Sequence, residues 1–269
     1  MEPLHLVGYL GGLLMGLSLG MVGAGGSILS LPIFVYLFSI PPSLATAYSL
    51  FVVGLSALVG LINYHREGLV NYRIGFTFAA PSFAGVYLVR RYLMPNLPSE
   101  IAEFSGFTLT KDGLIMIVFA VLMVLAARAM IRKSQPTMKK NELSGMARYA
   151  VIGLEGLTVG AVTGFVGAGG GFLIIPALVL LTGLRMKEAV GTSLGVIAVK
   201  SLFGFLGDVQ TQKDIDWVFL SVFFGISVVG IAVGIKLARK IPENKLKPIF
   251  GWFVLVMGAF ILFQQVVLK

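Results

Sequence analysis

One thirteen-residue pattern occurs twice in this chain and constrains everything else. Gly20-Met-Val-Gly-Ala-Gly-Gly-Ser-Ile-Leu-Ser-Leu-Pro32 returns as Gly164-Phe-Val-Gly-Ala-Gly-Gly-Gly-Phe-Leu-Ile-Ile-Pro176, at a constant offset of 144 positions. Along the same offset Ala45, Ser49 and Leu50 meet Ala189, Ser193 and Leu194, and a one-residue slip then sets Val70, Asn71 and Tyr72 against Ile215, Asp216 and Trp217. The chain reads as a duplication. In each copy a long apolar run stops at the glycines and a shorter one of about 13 residues follows, too short to cross a bilayer straight at about 1.5 Å per residue. A helix interrupted in apolar surroundings persists only where the freed backbone groups are buried in protein or line a cavity, and paired interruptions in two repeats mark a transporter's binding site.

Composition places the pattern in a membrane. Hydrophobic residues make up 57% of the 269 positions and charged ones 12%, with a mean hydropathy of +0.93, too apolar for a soluble domain of this length. The runs are near-continuous and show no period-2 alternation, so the spans are predicted as helices. With no cysteine and only His5 and His65 as histidines, disulfides and thiolate sites are excluded, a histidine-built metal site is disfavoured, and neither metal nor cofactor is expected.

The net charge of +9 does not indicate nucleic acid, because it is confined to two short loops. Arg128 to Arg148 holds six cations against Glu142, and Lys236 to Lys247 holds five against Glu243. Basic loops beside spans are the positive-inside signal and place both in the cytoplasm, which makes the cytoplasmic (inner) cell membrane the expected location. The N-terminal run carries Glu2 and His5 in place of a basic leader and lacks a small-residue cleavage pattern, so it is read as retained.

In order, the first copy comprises apolar segments at about 5–22, 27–39, 44–63, 74–93 and 112–132, the second at about 147–166, 172–184, 187–207, 217–238 and 248–267. Residues 1–133 form the first repeat, 134–146 a cytoplasmic linker and 147–269 the second repeat, together one transport domain. The loop with Asp208, Lys213, Asp214 and Asp216 reads as external, whereas its counterpart with His65, Arg66, Glu67 and Arg73 reads as internal. Equivalent loops on opposite faces imply inverted repeats, which need an odd number of crossings each; re-entrant short segments would give four and contradict the basic loops. The expected fold is an all-α integral membrane protein with about 8–10 transmembrane segments.

The glycine pattern Gly16-x-x-x-Gly20-x-x-Gly23-Ala-Gly-Gly26, with Pro32 and then Ala45-x-x-x-Ser49-Leu50, together with its second copy from Gly160 to Leu194, resembles the TauE/SafE family of sulfite and organosulfonate exporters. The resemblance covers essentially the whole chain. It implies passive or ion-coupled movement of small anions, often sulfur-containing, across the cytoplasmic membrane, and leaves the particular anion open. Copy one departs from the fuller glycine run with Ser27 where copy two has Gly171.

Gly23, Gly25, Gly26 and Ser27, with Gly167, Gly169, Gly170 and Gly171, are the first candidate binding residues. Successive glycines can take positive φ and turn N–H groups inward as an anion nest, to which the short helices add the positive ends of their dipoles. Glycines also simply let helices pack closely, which explains Gly16 and Gly20 but not Gly-Ala-Gly-Gly before a shortened helix. Ser49, Thr192 and Ser193, near the starts of the third segments, are either hydroxyl donors to the site or local caps and back-bonds; Tyr48 is either a donor or an interfacial anchor.

Lys200 lies deep in its segment, where a lysine is costly and usually functional, and where copy one has Ser56. Its ammonium attracts an anion, pairs with a carboxylate, or snorkels toward Asp208. Glu155, the one carboxylate more than a turn inside a predicted span, is a candidate for proton coupling or a partner for Lys200; the alternative is a cytoplasmic vestibule. The expected partners are a small anion, the bilayer and a coupling proton or ion. A cation or metal permease would need more carboxylate, imidazole or thioether inside the spans, although 11 methionines keep it open. A membrane-embedded enzyme would need clustered acid, base or nucleophile.

Overall fold

A computed structural model describes residues 3–23, 26–104, 107–131, 146–167, 169–210, 215–238 and 243–267. The described residues are almost entirely helical. Helix α1 (Pro3–Val22) leads into α2 (Gly26–Pro32), which continues as one turn of π-helix, Ile33–Leu37. That turn directly follows Pro32, whose ring removes the amide the α-helical ladder needs. Helices α3 (Pro42–Arg66) and α4 (Tyr72–Leu88) follow; α4 runs through a second π turn, Val89–Leu93, into the short α5 (Met94–Asn96). Strands β1 (Glu100–Phe104) and β2 (Phe107–Thr110) form an antiparallel hairpin where the sequence predicts only a polar separator. Then come α6 (Lys111–Ile131), α7 (Met146–Val166), α8 (Gly171–Thr182), α9 (Met186–Val209), α10 (Trp217–Ala238) and α11 (Glu243–Val267).

Four helices are long and apolar enough to cross a membrane, at Pro42–Arg66, Tyr149–Val166, Lys187–Val209 and Trp217–Leu237, with shorter apolar helices at His5–Met21, Gly26–Leu37 and Val254–Gln265. Burial ranks them. In the most apolar window of α3 67% of residues are buried and in that of α9 72%, against 33% for α7 and α10, so α3 and α9 form the centre and lie against each other. Helix α1 packs on α10, α4 on α7, and α6 on α11. The long helices α1, α3, α4 and α6 of the first half thus each find their main partner in the second.

The flanking pairs approach until backbone touches backbone. A Cβ on Gly16 would run into the Ser227 carbonyl of α10, and a Cβ on Gly160 into the Ser82 carbonyl of α4. Gly160 stands 144 positions after Gly16 and Ser227 stands 145 after Ser82, so one contact is made twice, crosswise. Here the small residues do serve close packing.

Two further ties repeat in the same way. Asn71 caps α4 by accepting from the Ile74 amide (3.1 Å), and its own amide donates to Thr192 Oγ1 (2.9 Å); Asp216 caps α10 by accepting from the Phe219 amide (2.9 Å), and its amide donates to the Tyr48 hydroxyl (2.8 Å). Thr192 and Tyr48 occupy equivalent positions in the two glycine-pattern copies, and each holds the entry to the other half's fourth segment. An aromatic cluster including Phe34, Phe219 and Phe223 closes the end of α2 against α10, with Phe34 and Phe223 ring centres 4.7 Å apart.

Candidate functional site

The second glycine break joins α7 to α8. Gly167, Gly169 and Gly170 have φ of 71°, 62° and 66°, a region that strains a β-branched residue. Gly167 ends α7 by donating its amide to the Thr163 carbonyl (2.8 Å), and Gly170 opens α8, its carbonyl accepting from the amides of Leu173 (3.0 Å) and Ile174 (3.1 Å). Gly171 is the first residue of α8 and so belongs to the helix instead of the break. With Leu173 and Ile174 donating to the Gly170 carbonyl, the amides of Gly171 and Phe172 are the ones at the head of α8 that carry the positive end of the helix dipole toward the glycines.

Two buried cations flank this break. Lys200 comes from α9 and is fully buried; its Nζ donates to Thr163 Oγ1 at 2.7 Å. A Cβ at Gly170 would lie only 2.6 Å from that Nζ, so the ammonium lies in the space a side chain there would fill. Arg90 comes from the π turn after α4 and is 1% exposed. Its Nη1 donates to Thr46 Oγ1 (2.8 Å) and to Asp208 Oδ1 (3.3 Å), while a Cβ at Gly167 would lie 2.6 Å from Nη2. Arg90 thus stands at the first glycine of the break and Lys200 at the last.

These contacts revise two sequence expectations about Lys200. It does not snorkel to Asp208, because Asp208 is 2% exposed and takes Arg90 as its ion partner. Nor does it pair with Glu155: among the described residues the ion pairs are Arg90–Asp208 and Arg185–Glu188, and Glu155 lies eight positions, about 12 Å of helix, before the threonine that Lys200 reaches. Glu155 is half-buried in α7, with Oε2 enclosed and without a described hydrogen-bond partner.

The first break is built alike but lined differently. Gly23 has φ 73°, donates its amide to the Leu19 carbonyl (2.8 Å) and rests on Val190. Gly26 begins α2, pressed against the Met15 carbonyl and Leu19; Gly25 falls outside the described residues. Where the second break has Thr163, Lys200 and Thr46, the equivalent positions here hold Leu19, Ser56 and Val190. The cations and their hydroxyl partners belong to the second break, and the two breaks meet where Ser27, at the start of α2, has its Cβ 3.2 Å from the place of a Cβ on Gly169.

The remaining hydroxyls divide. Ser49 reaches α2, its Oγ 2.6 Å from Ser30 Oγ, and Ser30 in turn donates to the Ser27 carbonyl (2.9 Å). Ser193 back-bonds to the Val190 carbonyl (2.8 Å), the local alternative, and Thr192 and Tyr48 are committed to the inter-half ties. Sequence reasoning missed Arg90, Thr46 and Thr163. Arg90 sits beside Arg91 at the end of a predicted span, where a cation ordinarily reaches the interface; the separate signal was Asp208, an acid at the end of another span that could partner it.

A helical, multi-pass membrane protein with paired breaks in short apolar helices and buried cations at one of them has the construction of a membrane transporter. The sulfite exporter TauE/SafE family model matches residues 9–261, and the chain belongs to that family. It is 27% identical over 259 residues to a "Probable membrane transporter protein" of Xylella fastidiosa (strain Temecula1), covering 94% of this chain and 92% of that one. It is also similar to the "Probable membrane transporter protein YdhB" of Bacillus subtilis (26% identity, 93% and 97% coverage) and to the "Probable membrane transporter protein MJ0441" of Methanocaldococcus jannaschii (26%, 93% and 92%). No solved structure matches the chain significantly.

Proposed function

We propose that this transporter moves small anions of the sulfur oxyanion and organosulfonate class, such as sulfite, thiosulfate or sulfonates, across the cytoplasmic membrane. The observation that carries the reading is the fully buried ammonium of Lys200 against Gly170, at the head of α8. A cation at the positive end of a helix repels its surroundings unless an anion joins them, and an interior of low dielectric strengthens both effects. The same charge opposes the cation-permease reading. The sulfur class is supported by the family's description. Glu155, half-buried in α7, is the proposed carrier of a coupling proton.

Uptake of labelled sulfite, thiosulfate, methanesulfonate, acetate and a divalent cation into proteoliposomes tests the function. Saturable uptake of one or more of the sulfur anions supports it; uptake of the divalent cation alone rejects it.

We also propose that residues 1–133 and 147–269 are inverted repeats joined by a cytoplasmic linker at 134–146. The crosswise ties Asn71–Thr192 and Asp216–Tyr48 support this arrangement. Single cysteines at the exposed positions Glu67 and Gln210, in a chain with no cysteine of its own, are expected to react with an impermeant maleimide from opposite sides of the membrane. Labelling of both from one side would reject inversion.

A further inference from the structure

Arg90 is placed as more than the partner of Asp208. A guanidinium offers five donors in a rigid plane, and its Nε–Nη2 edge is a fork matched to two oxygens of one oxyanion. In this structure Nη1 is committed to Thr46 and Asp208, while Nε and Nη2 are buried and have no hydrogen-bond partner among the described residues. Charged donors left in that state are strongly unfavourable in a protein interior. The edge that lacks partners is the edge at the glycine break, since it is Nη2 that abuts Gly167. The opposite edge is held from both sides by a hydroxyl and a carboxylate, which fixes the plane of the fork before any ligand arrives.

We infer that Arg90 is a second anchor for the transported anion: its Nε–Nη2 edge takes two oxygens of one oxyanion, while Lys200 and the α8 amides hold the same ion from the other end of the break. Thr46 and Asp208 are positioning residues that aim the fork. This rests on the anion-transport reading above and adds a selectivity to it. An ion with several oxygens around one centre fills both donors of the fork, and a monatomic halide fills one at best, so oxyanions are preferred over halides of the same charge. The first break has no counterpart: Ile235 stands where the repeat would place an arginine. The fork therefore acts once per chain.

The test is isothermal titration of the purified protein with sulfite, methanesulfonate and bromide. The parent protein is expected to bind sulfite or methanesulfonate at least tenfold more tightly than bromide. Arg90→Lys keeps the charge and removes the fork; in protein that elutes as the parent does on gel filtration, it is expected to weaken oxyanion binding at least tenfold and bring the oxyanion-to-bromide ratio within threefold of unity. An Arg90→Lys protein that binds both oxyanions within twofold of the parent would overturn the inference while leaving anion transport intact. Equal affinity of the parent for bromide and the oxyanions would do the same with no variant needed. A parent that binds none of the three, and takes up no anion in proteoliposomes, overturns the transport reading and this inference together.

Discussion

Replacing Lys200 by methionine is expected to weaken binding of the transported anion at least tenfold, a loss of about 1.4 kcal/mol. Methionine keeps an unbranched apolar stem for packing inside α9, and removing the ammonium does not strand its partner, because Thr163 Oγ1 still donates to the Gly160 carbonyl (3.3 Å). Folding is therefore spared and the effect falls on the ligand. The Coulomb attraction lost is about 4 kcal/mol for charges about 4 Å apart at an effective dielectric near 20, before desolvation of both ions is subtracted. Lys200→Arg is expected to be only partly tolerated, since a planar guanidinium does not fit where a compact ammonium lies against Gly170. Titration of Lys200→Met with the anion identified by uptake decides the point, and an affinity within twofold of the parent would remove Lys200 from the site.

The larger effect is expected at the glycines themselves. Gly169→Val and Gly170→Val each force a β-branched residue to φ near +65°, which costs about 1–3 kcal/mol. Each also fills the break: a Cβ at Gly169 would lie 2.6 Å from Val53 Cγ1, and one at Gly170 would meet Thr163 and the Lys200 ammonium. A displaced ammonium and a closed break should together abolish detectable uptake, a reduction of at least 100-fold, with the protein still inserted in the membrane. Parent-level uptake by well-expressed Gly169→Val and Gly170→Val proteins would show that these residues serve packing alone.

The parts of this molecule that the sequence made legible are those where one residue type permits one conformation or bears one cost. The break was readable because a run of glycines before a shortened apolar stretch has few other uses, and Gly167, Gly169 and Gly170 do take positive φ. Lys200 was readable because an ammonium deep in a span is expensive wherever it points. Its direction was not, since a helix that is apolar on every face gives no period from which to read a partner. Arg90 escaped notice, and Asp208 reads from sequence as an external loop acid, for a related reason: at the end of a span a charge reaches water or an ion partner with equal ease, and the buried choice rests on two helices far apart in sequence. Thr192 has a role that its closeness to Ser193 and to the glycine pattern did not signal: its hydroxyl accepts the Asn71 amide in a tie across the halves. The hairpin of β1 and β2 was hidden because two strands of five and four residues leave too little alternation to stand out from a polar connector.

The crosswise pairing of helices has a consequence for the growing chain. The face of α1 that carries Gly16 and Gly20 packs on α10, with about 200 residues between them. At ordinary ribosomal speeds of about 5–20 residues per second that interval is roughly 10–40 s. Throughout it Gly16 and Gly20 have lipid or another chain against them in place of Ser227 and Ile231. Helix α4, by contrast, meets α7 after a far shorter wait. Among the described helices the newborn protein therefore closes α4 on α7 first, then α3 on α9 and α1 on α10, while α6 waits for α11.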